Sequence, residues 1–226
     1  MELAPAVHAL PLSFDYGETG TEMTIHPALV ETDRGPILVD VGLTGALEKL
    51  EAHLDRIGYE LEDVRTVLLT HHDGDHAGAL RELLERTDAI TFAHREETPF
   101  IVGDRDPIKA TGERYPPAPI DVEIVDAVTF RTRAGPMRVV ETPGHSPGHV
   151  SLYFPDERLL LAGDALTAED GLDGPNPDFT PEMGQATRSL AALSDLDVDH
   201  TLCYHGGFVE EGTDRIEAIR ERLERS

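Results

Sequence analysis

Leu68-Leu69-Thr70-His71-His72-Asp73-Gly74-Asp75-His76-Ala77-Gly78 sets five potential metal ligands, three histidines and two aspartates, directly behind an apolar run. Buried without partners such groups would be costly, whereas a divalent cation satisfies several of them at once. Gly74 lets the backbone turn tightly, and the helix that follows fixes Asp75 and His76 at its first turn. The plain alternative is a polar surface loop that caps a helix.

Working outward, strand-like runs at residues 24–31 and 37–41 flank Thr32-Asp33-Arg34-Gly35-Pro36, whose turn residues predict a hairpin in an antiparallel N-terminal region. Across residues 44–57, Leu47, Leu50, Leu54 and Ile57 recur at helical spacing and Gly58 supplies a stop. A buried strand at 65–70, a helix at 76–86 and a strand at 89–94 follow. Residues 96–121 carry Pro99, Pro107, Pro116, Pro117 and Pro119, which leave room for a short helix near 96–102 and otherwise predict a covering loop or a plain surface excursion. Strands return at 122–125, 137–141, 150–154 and 159–161. Thr180-Pro181 predicts a capped helix start, with Leu190 and Leu193 facing inward. A strand at 201–204 and a helix carrying Ile216, Ile219 and Leu223 complete the chain.

The 226 residues, 39% of them hydrophobic, suffice for one substantial core, and a single domain over residues 1–226 is expected. The first basic residue is Arg34 and no long apolar run exists, so neither a membrane span nor a secretory leader is expected, and a cytoplasmic protein is. One cysteine, Cys203, excludes an internal disulfide framework. Acidic residues number 44 against 19 basic ones, of which only Lys49 and Lys109 are lysine, and the net charge is -25. Such a surface repels itself unless salt screens it; at about 1 M the screening length falls to roughly 3 Å, so a halophilic source is expected. The acids are spread along the chain instead of forming a tail for a basic partner. Basic stripes for phosphate contact are missing, which argues against nucleic acid.

Three later stretches repeat the design of the first, each with a metal-type side chain in a glycine-bearing turn after an apolar strand. They are Thr142-Pro143-Gly144-His145-Ser146-Pro147-Gly148-His149, Leu161-Ala162-Gly163-Asp164 and Cys203-Tyr204-His205-Gly206-Gly207. Glycine at these points permits close backbone approach. The four blocks, in this order and across nearly the whole chain, resemble the metallo-β-lactamase superfamily. The resemblance implies an αββα sandwich, two mixed sheets face to face with helices outside and two divalent metal ions at one edge. It also implies that His71, Asp73 and His145 bind the first ion, that Asp75, His76 and His205 bind the second, and that Asp164 bridges them.

One position departs from the usual His-x-His-x-Asp-His block, because Asp73 stands where the second histidine does. A Thr-His-x-Asp-x-Asp-His version is similar to that of some small hydrolases of the superfamily, and Ala93-His94-Arg95-Glu96-Glu97-Thr98-Pro99-Phe100 resembles their next segment. Three carboxylates facing two ions make a weaker Lewis acid, so zinc is expected with greater tolerance of manganese or iron. His72 and His149 occupy no ligand position in the family pattern; His72 is expected to be a supporting or surface residue and His149 a hydrogen-bonded support for its loop. Among the other histidines, His26 and His94 are the best placed to face substrate, and Cys203 is expected to be buried and apolar.

The implied chemistry is hydrolysis of a small-molecule substrate by a hydroxide held between the ions, with Asp75 as the catalytic residue that orients the water and shuttles its proton. Substrate-facing loops are expected at residues 14–23, at the proline-rich segment with Phe100, Lys109, Arg114 and Tyr115, and at 166–179. Only 21 residues follow His205, so a helical substrate domain of the glyoxalase II type is not expected, and an ester, thioester or lactone is favoured over a β-lactam amide. The competing readings are a mononuclear iron oxygenase acting on a persulfide and a non-catalytic metal-binding module.

Overall fold

The computed structural model describes residues 1–16, 21–109 and 113–225. Seven strands make the first sheet, in the order β1 (Glu2–Ala4), β2 (Val7–Ala9), β5 (Ala28–Val30), β6 (Ile37–Val39), β7 (Thr66–Leu68), β8 (Ile90–His94) and β9 (Val122–Ile124). Six make the second, β10 (Thr129–Thr132), β11 (Gly135–Glu141), β12 (Val150–Phe154), β13 (Leu159–Gly163), β14 (His200–Cys203) and β15 (Gly207–Val209). A separate hairpin pairs β3 (Leu12–Tyr16) with β4 (Thr21–Ile25). The helices are α1 (Leu47–Ile57), α2 (Gly74–Ala77), α3 (Leu80–Leu84), α4 (Thr98–Ile101), α5 (Met183–Ser194) and α6 (Thr213–Glu224).

Strand alternation builds four layers. Ala28, Val30, Ile37, Val39 and Leu68 turn toward the second sheet and meet Val139, Leu152, Leu159, Leu161 and Leu202. Their neighbours Leu29, Leu38 and Val67 point the other way, against Leu47, Leu50 and Leu54 of α1 and Leu80 and Leu83 of α3. On the far side Tyr153, Leu160 and Cys203 pack with Leu190 and Leu193 of α5 and Ile216 and Ile219 of α6. The central strands are apolar on both faces, so they read as unbroken hydrophobic runs, as strands covered on both sides do. The arrangement is the expected αββα sandwich, and each fully buried leucine contributes roughly 1.5–3 kcal/mol by leaving water.

The structure redraws several expected elements. The run at 24–31 is two strands, because Pro27 has no N–H to donate and the chain leaves the β3–β4 hairpin there to enter the first sheet. The strand at 37–41 stops at Val39, since Asp40 takes a left-handed conformation with φ 59°. The helix expected at 76–86 is broken into α2 and α3. The His76 carbonyl accepts from Val41 N and Ala79 N donates to the Gly42 carbonyl, which interrupts the helical ladder. Thr180 does not open α5, which begins at Met183. Residues 135–136 extend the strand expected at 137–141, and β10 and β15 add hairpin partners beyond those the sequence predicts. Helix α1 ends as expected, with Gly58 at φ 87° and its N–H turned back to the carbonyls of Leu54 and Asp55.

Parallel pairing places the site. β6, β7 and β8 run parallel, as do β13 and β14, so the turns after β7, β13 and β14 emerge at sheet edges that share a direction. Val150 N donates to the Thr70 carbonyl at 3.1 Å and joins the two sheets at that edge.

Candidate metal centre

The four blocks meet there. After β7, His71 Nε2 lies 3.2 Å from Asp73 Oδ2, and His145 Nε2 from the turn after β11 lies 3.1 Å from the same oxygen. Behind them, His205 Nε2 from the turn after β14 stands 3.1 Å from Asp75 Oδ2, with His76 Nε2 at 3.8 Å. Asp164, which follows β13, faces both groups: Oδ1 is 3.3 Å from His76, and Oδ2 is 3.2 Å from His145 and 3.5 Å from His205. All seven expected site residues are thus brought together. Each triad takes two donors from the first sheet's turn and one from the second sheet.

Among the described residues, His71–Asp73–His145, Asp75–His76–His205 and His71–His76–Asp164 could each hold a metal ion by the spacing of their donor atoms. The fit is more than proximity. His71 Nε2, His76 Nε2 and Asp164 Oδ1 are buried without a hydrogen-bond partner, an expensive condition that a cation between them would relieve. The electrostatics agree in sign. Burial works against the charge of Asp73 and Asp164, yet the surrounding histidines, and Lys109 for Asp73, hold both carboxyls well below the usual range. Burial likewise opposes charge on His76 and His205, yet Asp164 with its neighbouring carboxylates raises both, His205 to about 10. At His71 burial and the neighbouring His76 act the other way and keep the ring neutral, the form in which an imidazole binds a cation.

Supporting groups fix the donors. Asp40 Oδ2 accepts from His76 Nδ1 at 2.8 Å and from Thr70 Oγ1, while Oδ1 accepts from Thr70 N at 2.8 Å. Tyr204 stacks on His76 with ring centroids 3.6 Å apart and donates its hydroxyl to the Asp75 carbonyl at 2.5 Å. Thr180, displaced from its expected capping role, sits 3.3 Å from His145 Nδ1. His149 does more than hold its own loop. Its Nδ1 meets Thr142 Oγ1 at 2.8 Å and its Nε2 accepts from Asp164 N at 2.9 Å, and burial keeps the ring neutral for that role. Sequence reasoning misses Asp40 and Glu97; Asp40 follows β6 in the apolar run before α1, and its only signal is a lone carboxylate among buried apolar residues.

The other expected groups divide. Lys109 reaches the first triad, with Nζ 2.5 Å from both Asp73 Oδ2 and His145 Nε2. A cavity of about 680 Å³ opens beside it, lined by Leu43, Asp73, Asp75, Lys109, Tyr115 and Phe179 among others. Phe100 is not among the lining and stacks on the His72 ring, whereas Tyr115 lines the cavity and also donates to the His72 carbonyl at 2.6 Å. Arg114 is spent on the carbonyls of Phe100, Arg105 and Tyr115. His26 and His94 do not line this cavity. His26 Nδ1 is bonded to the Tyr204 carbonyl and His94 Nε2 to Glu141, so both rings brace loops. Cys203 is buried and burial pushes its thiol up, in keeping with an apolar role. The loop expected at 14–23 lies partly outside the described residues, as do residues 110–112 of the proline-rich segment.

Known proteins place the chain. The profile of the metallo-beta-lactamase superfamily matches residues 21–205. The sequence is 28% identical over 205 residues to the probable metallo-hydrolase YflN of Bacillus subtilis, covering 75% of each chain. It is 32% identical over 198 residues to a hydroxyacylglutathione hydrolase of Methylococcus capsulatus, covering 83% of this chain and 66% of that one. A metallo-beta-lactamase family protein from Thermus thermophilus superposes with a TM-score of 0.78 at 28% identity, over 99% of this chain and 81% of that one. Layer order, the convergence of the four blocks and the profile agree: the chain belongs to the metallo-beta-lactamase superfamily, a family of metallo-hydrolases.

Proposed function

We propose that this protein is a hydrolase with two divalent cations, one at His71–Asp73–His145 and one at Asp75–His76–His205, that cleaves an ester, thioester or lactone. The observation that carries the reading is the Asp164 carboxylate, whose oxygens face donors of both triads at 3.2–3.5 Å. Zinc suits the histidine-rich donor set, and the added carboxylate of Asp73 widens tolerance toward manganese or iron. Bound there, the ions supply Lewis acidity toward a carbonyl oxygen and a water made acidic enough to ionise near neutral pH.

The chain's own residues do the rest. Asp75 lines the cavity, and its backbone is pinned through its carbonyl by Tyr204. From that position the carboxylate takes the proton of the attacking water and returns it to the leaving group. Asp40 keeps the His76 ring in register, and His149 holds the Asp164 backbone. Leu43, Tyr115 and Phe179 offer apolar surface to a small-molecule acyl group. The name of the Methylococcus relative favours the thioester among the three bonds. No helix among the described residues is long and apolar enough to cross a membrane.

The test is elemental analysis of purified protein alongside a panel of thioesters, lactones and β-lactams in high salt. Two metal ions per chain with turnover of a thioester, ester or lactone, both lost in Asp164→Ala, is the expected result. One iron per chain with oxygen uptake on a persulfide would replace this reading by the oxygenase. Metal without turnover of any substrate would leave a binding module.

A further inference from the structure

Behind the first triad lies a carboxylate that none of the chemistry above uses. Glu97, in the turn before α4, is fully buried, and the bonds of its side chain run to ligand-bearing turns. Oε2 accepts from His72 N at 2.9 Å and from His72 Nδ1. Oε1 accepts from Ser146 Oγ at 2.8 Å and from Gly148 N at 2.5 Å. His72 sits between His71 and Asp73 in the chain, and Ser146 follows His145. One carboxylate therefore clamps the two turns that supply all three donors of the first triad.

The tautomer of His72 is set by geometry. Ile108 N donates to its Nε2 at 3.3 Å, so the ring proton is on Nδ1 and points at Glu97. Phe100 stacks on the same ring at 4.2 Å, and Tyr115 donates to the His72 carbonyl. The clamp thus also fastens the proline-rich strap to the first triad. The second triad has its own counterpart in Asp40, which holds His76 and makes no bond to the first triad's turns beyond Thr70.

We propose that Glu97 is the positioning residue of the first cation site, holding the His71–Asp73 turn and the His145 turn at the separation a cation requires, and that it leaves the second site untouched. The proposal rests on the two-cation reading above for its contrast between sites, but the triad it concerns can be measured by itself. Gln in place of Glu97 keeps the volume and replaces one acceptor oxygen by a donor. Two N–H or O–H groups then face an NH₂ that cannot accept from them.

The experiment measures Zn²⁺ affinity by chelator competition in two backgrounds, His205→Ala, which leaves the first triad intact, and His145→Ala, which leaves the second. Circular dichroism of each metal-free protein accompanies the titrations. Glu97→Gln is expected to weaken zinc about 10- to 100-fold in the His205→Ala background and to change nothing in the His145→Ala background, the usual reach of a partner behind a metal ligand. Equal weakening in both backgrounds, or none in the first, overturns the proposal. Should Glu97→Gln fail to fold, Ser146→Ala removes a single bond to Oε1, and its loss must follow the same background or the proposal falls. A parent protein that binds only one zinc defeats the two-cation reading, and the His205→Ala comparison still decides the role of Glu97.

Discussion

Asp73 is where this chain departs from the common pattern of its family, and the structure shows what the departure does. A carboxylate at 73 accepts from His145 and pairs with Lys109, one of only two lysines in the sequence. An imidazole there would be neutral and would leave the ammonium unpaired. Asp73→His is therefore expected to move metal content toward zinc when the protein is expressed with mixed metals, read by elemental analysis. An unchanged metal profile and rate would show that position 73 does not set preference. At this scale most of the site was legible in the sequence, since His71, Asp75, His76, His145, Asp164 and His205 all announce themselves by clustering with glycine after apolar runs. Glu97 and Asp40 did not. Their partners lie 25 to 51 residues away for Glu97 and 30 to 36 for Asp40, so no local pattern marks them.

Among elements, α2 carries Asp75 and His76, and its shortness has a cause outside itself. A Cβ at Gly78 would lie 2.3 Å from the Gly74 carbonyl oxygen and 2.6 Å from Thr44 N, both backbone atoms that cannot swing aside. Gly78→Ala is expected to cost about 1–3 kcal/mol by overpacking and to lower zinc retention as α2 shifts, measured by thermal melting and dialysis. Wild-type stability in the variant would mean that the 40–44 segment yields easily. The same contact explains why one helix over 76–86 was expected and two short ones are found: Leu80 and Leu83 keep helical spacing, but the interruption is imposed by the backbone of the 40–44 segment. α1 and α6 raised no such problem, because their buried leucines and isoleucines repeat on one face and their neighbours do not intrude. Thr180 shows the opposite case, a local capping signal overridden because its hydroxyl is drawn to His145.

For the molecule as a whole, stability should follow the cations. A ligand that binds only the folded chain stabilises it by about 2.7 kcal/mol at a hundredfold excess over its Kd, and in a chain of this size each kcal/mol moves the Tm by about 2–4 °C. Chelation is thus expected to lower the Tm by about 5–11 °C, with recovery when zinc is restored. A Tm indifferent to chelator would remove the cations from the account of stability. The acidic surface works in the same direction, since a net charge of -25 opposes compaction and any bound cation offsets part of it.

The division of donors between the sheets has a mechanical side. In each triad two ligands descend from one sheet and the third from the other, so an ion seated in either would rivet chain segments 72 or more residues apart across the seam of the sandwich. A protein with a single cysteine has no sulfur bridge to do this. Its fastener would be one that the surrounding solution can supply or withdraw, and a chain starved of metal would gape first along the edge where the cavity beside Asp73 and Asp75 opens.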